Sequence, residues 1–204
     1  MQFYFVRHGQ SMGNMSDDYS TLAHDQLSPN GWQQAEQLVE RIAGIHFDAI
    51  YVSTATRTMQ TITPFLQRYG ARATLWPALQ EACWQHDRTE PIPLCTEPPA
   101  KFTMPSGENV RFDILDEYQF LPPANETYQE GRVRIIAIYE HLMHWHSGRA
   151  ETILVVGHAY AGGRLVELLL GLEPEGHIQH SNTGLTHLIE RDDRIFHLKF
   201  ANRI

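Results

Sequence analysis

Cysteine is scarce in this chain of 204 residues, with only Cys83 and Cys95 present. That excludes a disulfide scaffold and paired metal-binding knuckles, and it points to a reduced, cytoplasmic protein. Long apolar runs are missing too. The run that opens the chain meets Arg7 at once, too soon for a signal core or a membrane span, and no later segment reaches about 18 uninterrupted apolar residues. A membrane is therefore not an expected partner. Basic residues are outnumbered, 16 Lys and Arg against 24 Asp and Glu, for a formal net charge of -8. A polyanion binder gathers Lys and Arg on one face, and no such stripe exists here, so nucleic acid is not expected either. A small anionic substrate stays open, because a few Arg converging in one cleft create a local positive potential inside an acidic protein. Internal repeats and low-complexity tracts are absent.

What is present is an ordinary globular composition, 42% hydrophobic and 20% charged, enough for one domain. Residues 2–6 are aromatic and β-branched and stop at Arg7-His8-Gly9, which reads as a buried strand running into a loop. Ser28-Pro29 offers a helix N-cap with Pro at the first helical position, and Trp32, Ala35, Leu38, Val39 and Ile42 follow at helical spacing. The alternation continues with a strand at 49–52, a helix at 56–69 closed by Gly70 and kinked by Pro64, and a strand at 73–76. A long helix runs from about 125, with Asn125 as N-cap, to 146; a strand at 152–156 and a helix through Arg164 to Gly171 come next. Strands at 184–190 and 194–200 close the chain. This pattern predicts an α/β fold of three layers, α/β/α, with a mostly parallel central sheet. Residues 82–123 break it. They carry Pro91, Pro93, Pro98, Pro99, Pro105, Pro122 and Pro123, with one helix expected near 108–119, and read as a cap-like insertion over the site.

In open α/β sheets, ligands bind beyond the carboxyl ends of the strands. Arg7-His8-Gly9 ends the first strand, Ser53 to Arg57 the second, Glu81 lies beyond the third and His158 beyond the fourth. Four segments thus deliver two Arg, two His and a carboxyl to one edge. Arg grips phosphate oxygens through a planar, permanently charged fork. A neutral imidazole is a competent nucleophile toward phosphorus, provided its other ring nitrogen is fixed, typically by a backbone carbonyl. Gly9 lets backbone approach a phosphate closely. The carboxyl of Glu81 is placed to give the leaving alkoxide its proton and then to activate water, with Asp87 and Glu90 near enough in sequence to compete. Arg57 at a helix start opposes the macrodipole unless an anion sits there too, which favours a bound phosphate.

These residues resemble the histidine phosphatase superfamily, in the branch of the cofactor-dependent phosphoglycerate mutases. Arg7-His8-Gly9 is similar to its opening signature, Ser53 to Thr61 to its Ser, Arg and Gln-Thr pattern, Leu79-Gln80-Glu81 to its acid motif, and Gly157-His158 to its late motif. The resemblance implies His8 as nucleophile, Arg7, Arg57 and His158 as the phosphate pocket, Glu81 as proton donor and Asn14 as a further phosphate or substrate contact. No cofactor and no metal ion are expected. Two departures stand out. Gly107-Glu108-Asn109 replaces the family's Gly-Glu-Ser, and 14–26 lack the Phe-Thr-Gly-Trp-type segment of the mutases.

The expected activity is therefore hydrolysis of a small-molecule or peptide-borne phosphate ester. A mutase that passes the same phosphoryl group to a second acceptor, and a phosphate-binding module without turnover, are the alternatives. A second copy of the chain, forming a homodimer, is the one protein partner considered. His141, His144 and His146 lack a His-Glu-x-x-His pattern and read as a solvated helix face rather than a metal site. Trp84, Phe102, Tyr118 and Phe120 either add minor core or line an aromatic entrance.

Overall fold

The first strand, β1 (Gln2–Arg7), sends Phe3 and Phe5 to one face and Tyr4 and Val6 to the other, and all four are buried. Burial on both faces is what a central strand of a parallel sheet requires, because helices cover it from either side. The computed structural model describes residues 1–16, 22–86, 92–93, 111–115 and 125–204. Along the chain, α1 (Met12–Ser16) and a 3-10 turn (Leu22–Asp25) follow β1, and then come α2 (Pro29–Ile42), β2 (Ala49–Val52), α3 (Thr56–Tyr69) and β3 (Arg72–Leu75). β4 (Ile92–Pro93), β5 (Arg111–Ile114) and β6 (Asn125–Glu126) precede α4 (Tyr128–His146), β7 (Thr152–Gly157), α5 (Ala159–Leu169), β8 (Leu185–Glu190) and β9 (Phe196–Arg203).

The main sheet has the order β5-β3-β2-β7-β1-β8-β9. β5, β3, β2, β7 and β1 run parallel, while β8 and β9 are antiparallel to their neighbours. The alternation along β1 sorts the core into two clusters. Phe3 and Phe5 join Ile135, Ile138 and Leu142 of α4 and Leu165 and Val166 of α5. Tyr4 and Val6 join Leu38, Val39 and Ile42 of α2 and Met59, Ile62 and Leu66 of α3. The three-layer α/β arrangement is thus the one that periodicity predicted.

Local chemistry sets the element ends. Ser28 caps α2 by accepting from the Gly31 amide at 3.0 Å, with Pro29 opening the helix. α3 contains Pro64, runs on to Tyr69 and stops where Gly70 adopts φ 62°, a left-handed geometry that costs glycine little. Two expectations need correction. Residues 111–114, inside the helix expected over 108–119, form β5 and pair in parallel with β3, with partly buried Phe112 packed on the core. The long helix is capped by Thr127 and not Asn125, through a reciprocal capping box with Glu130. Most of the 82–123 insertion lies outside the described residues. No helix among the described residues is long and apolar enough to cross a membrane.

Candidate active site

The carboxyl ends of β1, β2 and β7 lie side by side, and the registers Arg7↔Gly157 and Val52↔Val156 place His8 level with His158 and Ser53 level with Gly157, one residue below, at the edge of the sheet. The rings of His8 and His158 are 5.3 Å apart between centroids. Both side chains are buried, and so is Arg57, at 7% exposure, which enters from the first turn of α3.

One guanidinium joins the two rings. Arg57 Nε donates to His8 Nε2 at 3.2 Å, and Nη2 lies 2.9 Å from His158 Nδ1. Because guanidinium can only donate, both ring nitrogens are acceptors. The remaining protons follow from the network. His8 Nδ1–H donates to the Gly9 carbonyl at 2.7 Å, and His158 Nε2–H donates to Ser53 Oγ at 2.8 Å. His8 thus has the tautomer expected of a nucleophile, with the Nε2 lone pair turned toward Arg57. Burial, then the charges of Arg57 and Arg7, hold the His8 pKa well below its ordinary 6.5, against the opposing pull of the Gly9 carbonyl. Burial and then Arg57 act the same way on His158. Two neutral imidazoles facing a fixed cation can receive a phosphate dianion without first losing protons.

Arg7 Nη1 donates to the His180 carbonyl at 2.7 Å, so this second guanidinium is also anchored beside His8. Gly9 has a packing reason of its own, since a Cβ there would meet the Gly31 carbonyl at 2.9 Å. Asn14 lies one step removed. Its Oδ1 accepts from the Ser11 amide at 3.1 Å and from Asn182 Nδ2 at 3.3 Å, and Asn182 Nδ2 also donates to the His8 carbonyl at 3.0 Å. The next residue, Thr183, has φ 54°, a strained value for a β-branched side chain, while its amide donates to the Arg7 carbonyl at 3.0 Å.

Glu81 sits at the N-terminus of α5, just past His158. Its Oε1 accepts from the Ala161 and Ala82 amides, each at 2.9 Å, so the carboxylate caps the helix on which His158 is the N-cap residue. Its backbone is clamped from the other side. Arg134 donates to the Gln80 and Glu81 carbonyls, both at 3.0 Å, and is itself paired with fully buried Glu126. Asp87 and Glu90, the competing carboxyls, lie outside the described residues, as do Phe102, Tyr118 and Phe120. Trp84 is 44% exposed and stacks on Tyr160 at 5.8 Å.

Asp25 was not anticipated. Its Oδ1 pairs with Arg57 Nη1 and its Oδ2 accepts from the Thr56 amide at 2.7 Å. The anion that Arg57 calls for at the start of α3 is therefore supplied by the protein itself, so the macrodipole no longer favours a bound phosphate there over a carboxylate partner. A polar stretch without periodicity carries Asp25, and nothing in it marks one carboxylate over its neighbours. The histidine cluster needs correction as well. His146 is 9% exposed, between Tyr51 Oη at 2.9 Å and Glu151 at 2.7 Å, and His141 packs edge-on to Trp76 and Trp145; only His144 fits a solvated face. Among the described residues no group of three or more His, Cys, Asp or Glu is arranged to hold a metal ion.

Comparison with known proteins gives the family and the fold. Residues 3–203 match the histidine phosphatase superfamily (branch 1). The 2,3-bisphosphoglycerate-dependent phosphoglycerate mutase of Brucella anthropi is 29% identical over 184 residues, 88% of this chain and 87% of that protein. In fold, the chain is similar to the alpha-ribazole phosphatase of Shigella flexneri, with a TM-score of 0.70 and 18% identity over 99% of this chain and 96% of that one. A mycobacterial glucosyl-3-phosphoglycerate phosphatase superimposes with a TM-score of 0.68 and 16% identity, covering 100% and 99%.

Proposed function

The chain belongs to the histidine phosphatase superfamily (branch 1), and from that premise we propose that it hydrolyses phosphate monoesters, small or peptide-borne, through a phosphohistidine on His8 and without a metal ion. The observation that carries the proposal is the single buried guanidinium of Arg57 reaching both His8 Nε2 and His158 Nδ1. A phosphoryl group arriving there displaces the Nε contact and takes the same donors.

In the first half-reaction the His8 Nε2 lone pair attacks phosphorus and the bond to the ester oxygen breaks. The departing alkoxide takes a proton from Glu81, which enters this step as the carboxylic acid, carrying the proton gained from water in the preceding turnover, and releases its α5 amides to reach the leaving oxygen. The positive ring of phosphohistidine is steadied by Nδ1–H on the Gly9 carbonyl. In the second half, water gives its proton to the Glu81 carboxylate and attacks phosphorus, and the N–P bond breaks. Phosphate leaves and His8 is neutral again. His158 and Arg7 hold the non-bridging oxygens. Every chemical role has a side chain to fill it, which supports turnover over mere binding. A cytoplasmic setting accords with Cys83 as a buried free thiol.

Mutase chemistry is the second reading, favoured by the 29% identity with phosphoglycerate mutases. One experiment separates the two. The enzyme is incubated with a panel containing an aryl phosphate, α-ribazole 5'-phosphate and glucosyl-3-phosphoglycerate, and separately with 3-phosphoglycerate plus a trace of 2,3-bisphosphoglycerate, while phosphorus NMR follows the products. Free phosphate from the panel is expected. Rapid conversion to 2-phosphoglycerate without phosphate release contradicts the hydrolase.

A further inference from the structure

Asp25 is a carboxylate, among the described residues, that pairs with the phosphate-gripping machinery. It closes the 3-10 turn Leu22–Asp25, away from the strand ends that supply the other groups, and its side chain and that of Arg57 are each 9% exposed. Its two oxygens do separate things. One pairs with Arg57 Nη1; the other accepts from Thr56, the first residue of α3, whose N-cap Ala55 makes no side-chain cap.

Each nitrogen of Arg57 thus has its own partner: Nε has His8, Nη1 has Asp25 and Nη2 has His158. Guanidinium is planar and rigid, so fixing one edge fixes the direction of the others. Against the two imidazoles Asp25 is the charged partner, and charge-assisted hydrogen bonds are about twice as strong as neutral ones. The carboxylate is in turn held by a helix amide that does not move with the side chain. We propose that Asp25 is a positioning residue, which sets the plane of the Arg57 guanidinium so that one cation serves both imidazoles and the incoming phosphate. The proposal rests on the phosphate-ester reading of His8 and Arg57.

The test uses inorganic phosphate as probe, titrated by calorimetry into wild type, D25N, D25A, D25E, R57A and the D25N/R57A pair, with kcat and KM measured alongside. D25N keeps an oxygen for the Thr56 amide but turns an NH2 group toward Arg57, so it separates guanidinium orientation from helix capping and carries the test if D25A fails to fold. We expect D25N and D25A to weaken phosphate binding at least tenfold and to raise KM more than they lower kcat, with partial rescue by D25E. Because Asp25 acts through Arg57, the double variant should bind phosphate no more weakly than R57A alone. Unchanged or tighter binding by D25N, which would make the carboxylate a competitor of phosphate, overturns the proposal, and so do losses that multiply in the double variant. A wild type that binds phosphate yet turns over no ester defeats the hydrolase and leaves the role of Asp25 still measurable.

Discussion

Lowering the pH should unfold this protein sooner than its carboxylates alone dictate. His8, His158 and His180 are all buried, and each has its pKa lowered, first by burial and then by neighbouring Arg. A histidine whose folded pKa lies below the unfolded value gives its full stability above the unfolded pKa. It loses that stability as pH falls, because the unfolded chain takes up a proton that the folded chain refuses. For His180 the folded value is about 4 against an ordinary 6.5. The cost of this one side chain is therefore about 1.4 kcal/mol by pH ~5.5 and about 3 kcal/mol once pH reaches ~4. His8 and His158 act in the same direction, so the stability slope below pH ~6.5 should exceed one proton, on a domain whose whole stability is of order 5–15 kcal/mol. Glu190 and Glu175, with pKa values lowered from 4.5, protonate below this window and do not obscure it. Urea unfolding between pH ~7.5 and ~5.5 measures the slope. His180→Gln, which can keep a hydrogen bond to Thr186, should remove about one proton from it. Stability that stays level across this range, or an unchanged slope in the variant, refutes the view that these imidazoles are held neutral.

Three further outcomes follow from the geometry. Glu81→Ala should cost a p-nitrophenyl ester about tenfold or less in kcat and an alkyl ester about 10²–10⁴-fold, the usual range for a general acid; equal losses on both remove Glu81 from that role. Arg57→Lys keeps the charge but cannot span His8, His158 and Asp25 at once. Loss of about two hydrogen bonds at ~1.5 kcal/mol each predicts a fall of about 10²-fold in kcat/KM, and activity within threefold of wild type argues against the bridge. Gly162→Ala would put a Cβ 1.8 Å from the Phe5 ring, which is buried under α5. A loss of about 3 kcal/mol in urea unfolding is expected, and a change under ~0.5 kcal/mol would show that α5 does not approach β1 this closely.

Much of this architecture is written in period and punctuation. Phe3 to Val6 and Ile153 to Val156 are unbroken apolar runs because both sheet faces are covered, and such runs are easy to see. The convergence of His8, Arg57 and His158 followed from the same pattern, since each lies just past a parallel strand. β5 was missed because Arg111-Phe112-Asp113-Ile114 gains its strand character from pairing with β3, a long-range contact that outweighs local propensity. Thr127 carries a capping box with Glu130, whereas three residues after Asn125 stands Tyr128, which cannot close one. Asp25 and Asn182 were hidden for a different reason: their roles depend on where loops lie, and loops have no period to read.

The central claim is that phosphorus becomes bonded to His8. Enzyme mixed with a 32P-labelled ester, quenched in milliseconds in alkali and digested, should carry acid-labile, alkali-stable label on the peptide that contains Arg7-His8-Gly9, and His8→Ala should carry none. Turnover of the ester with no label on the wild-type protein at any quench time, or equal label on the variant, would contradict the account.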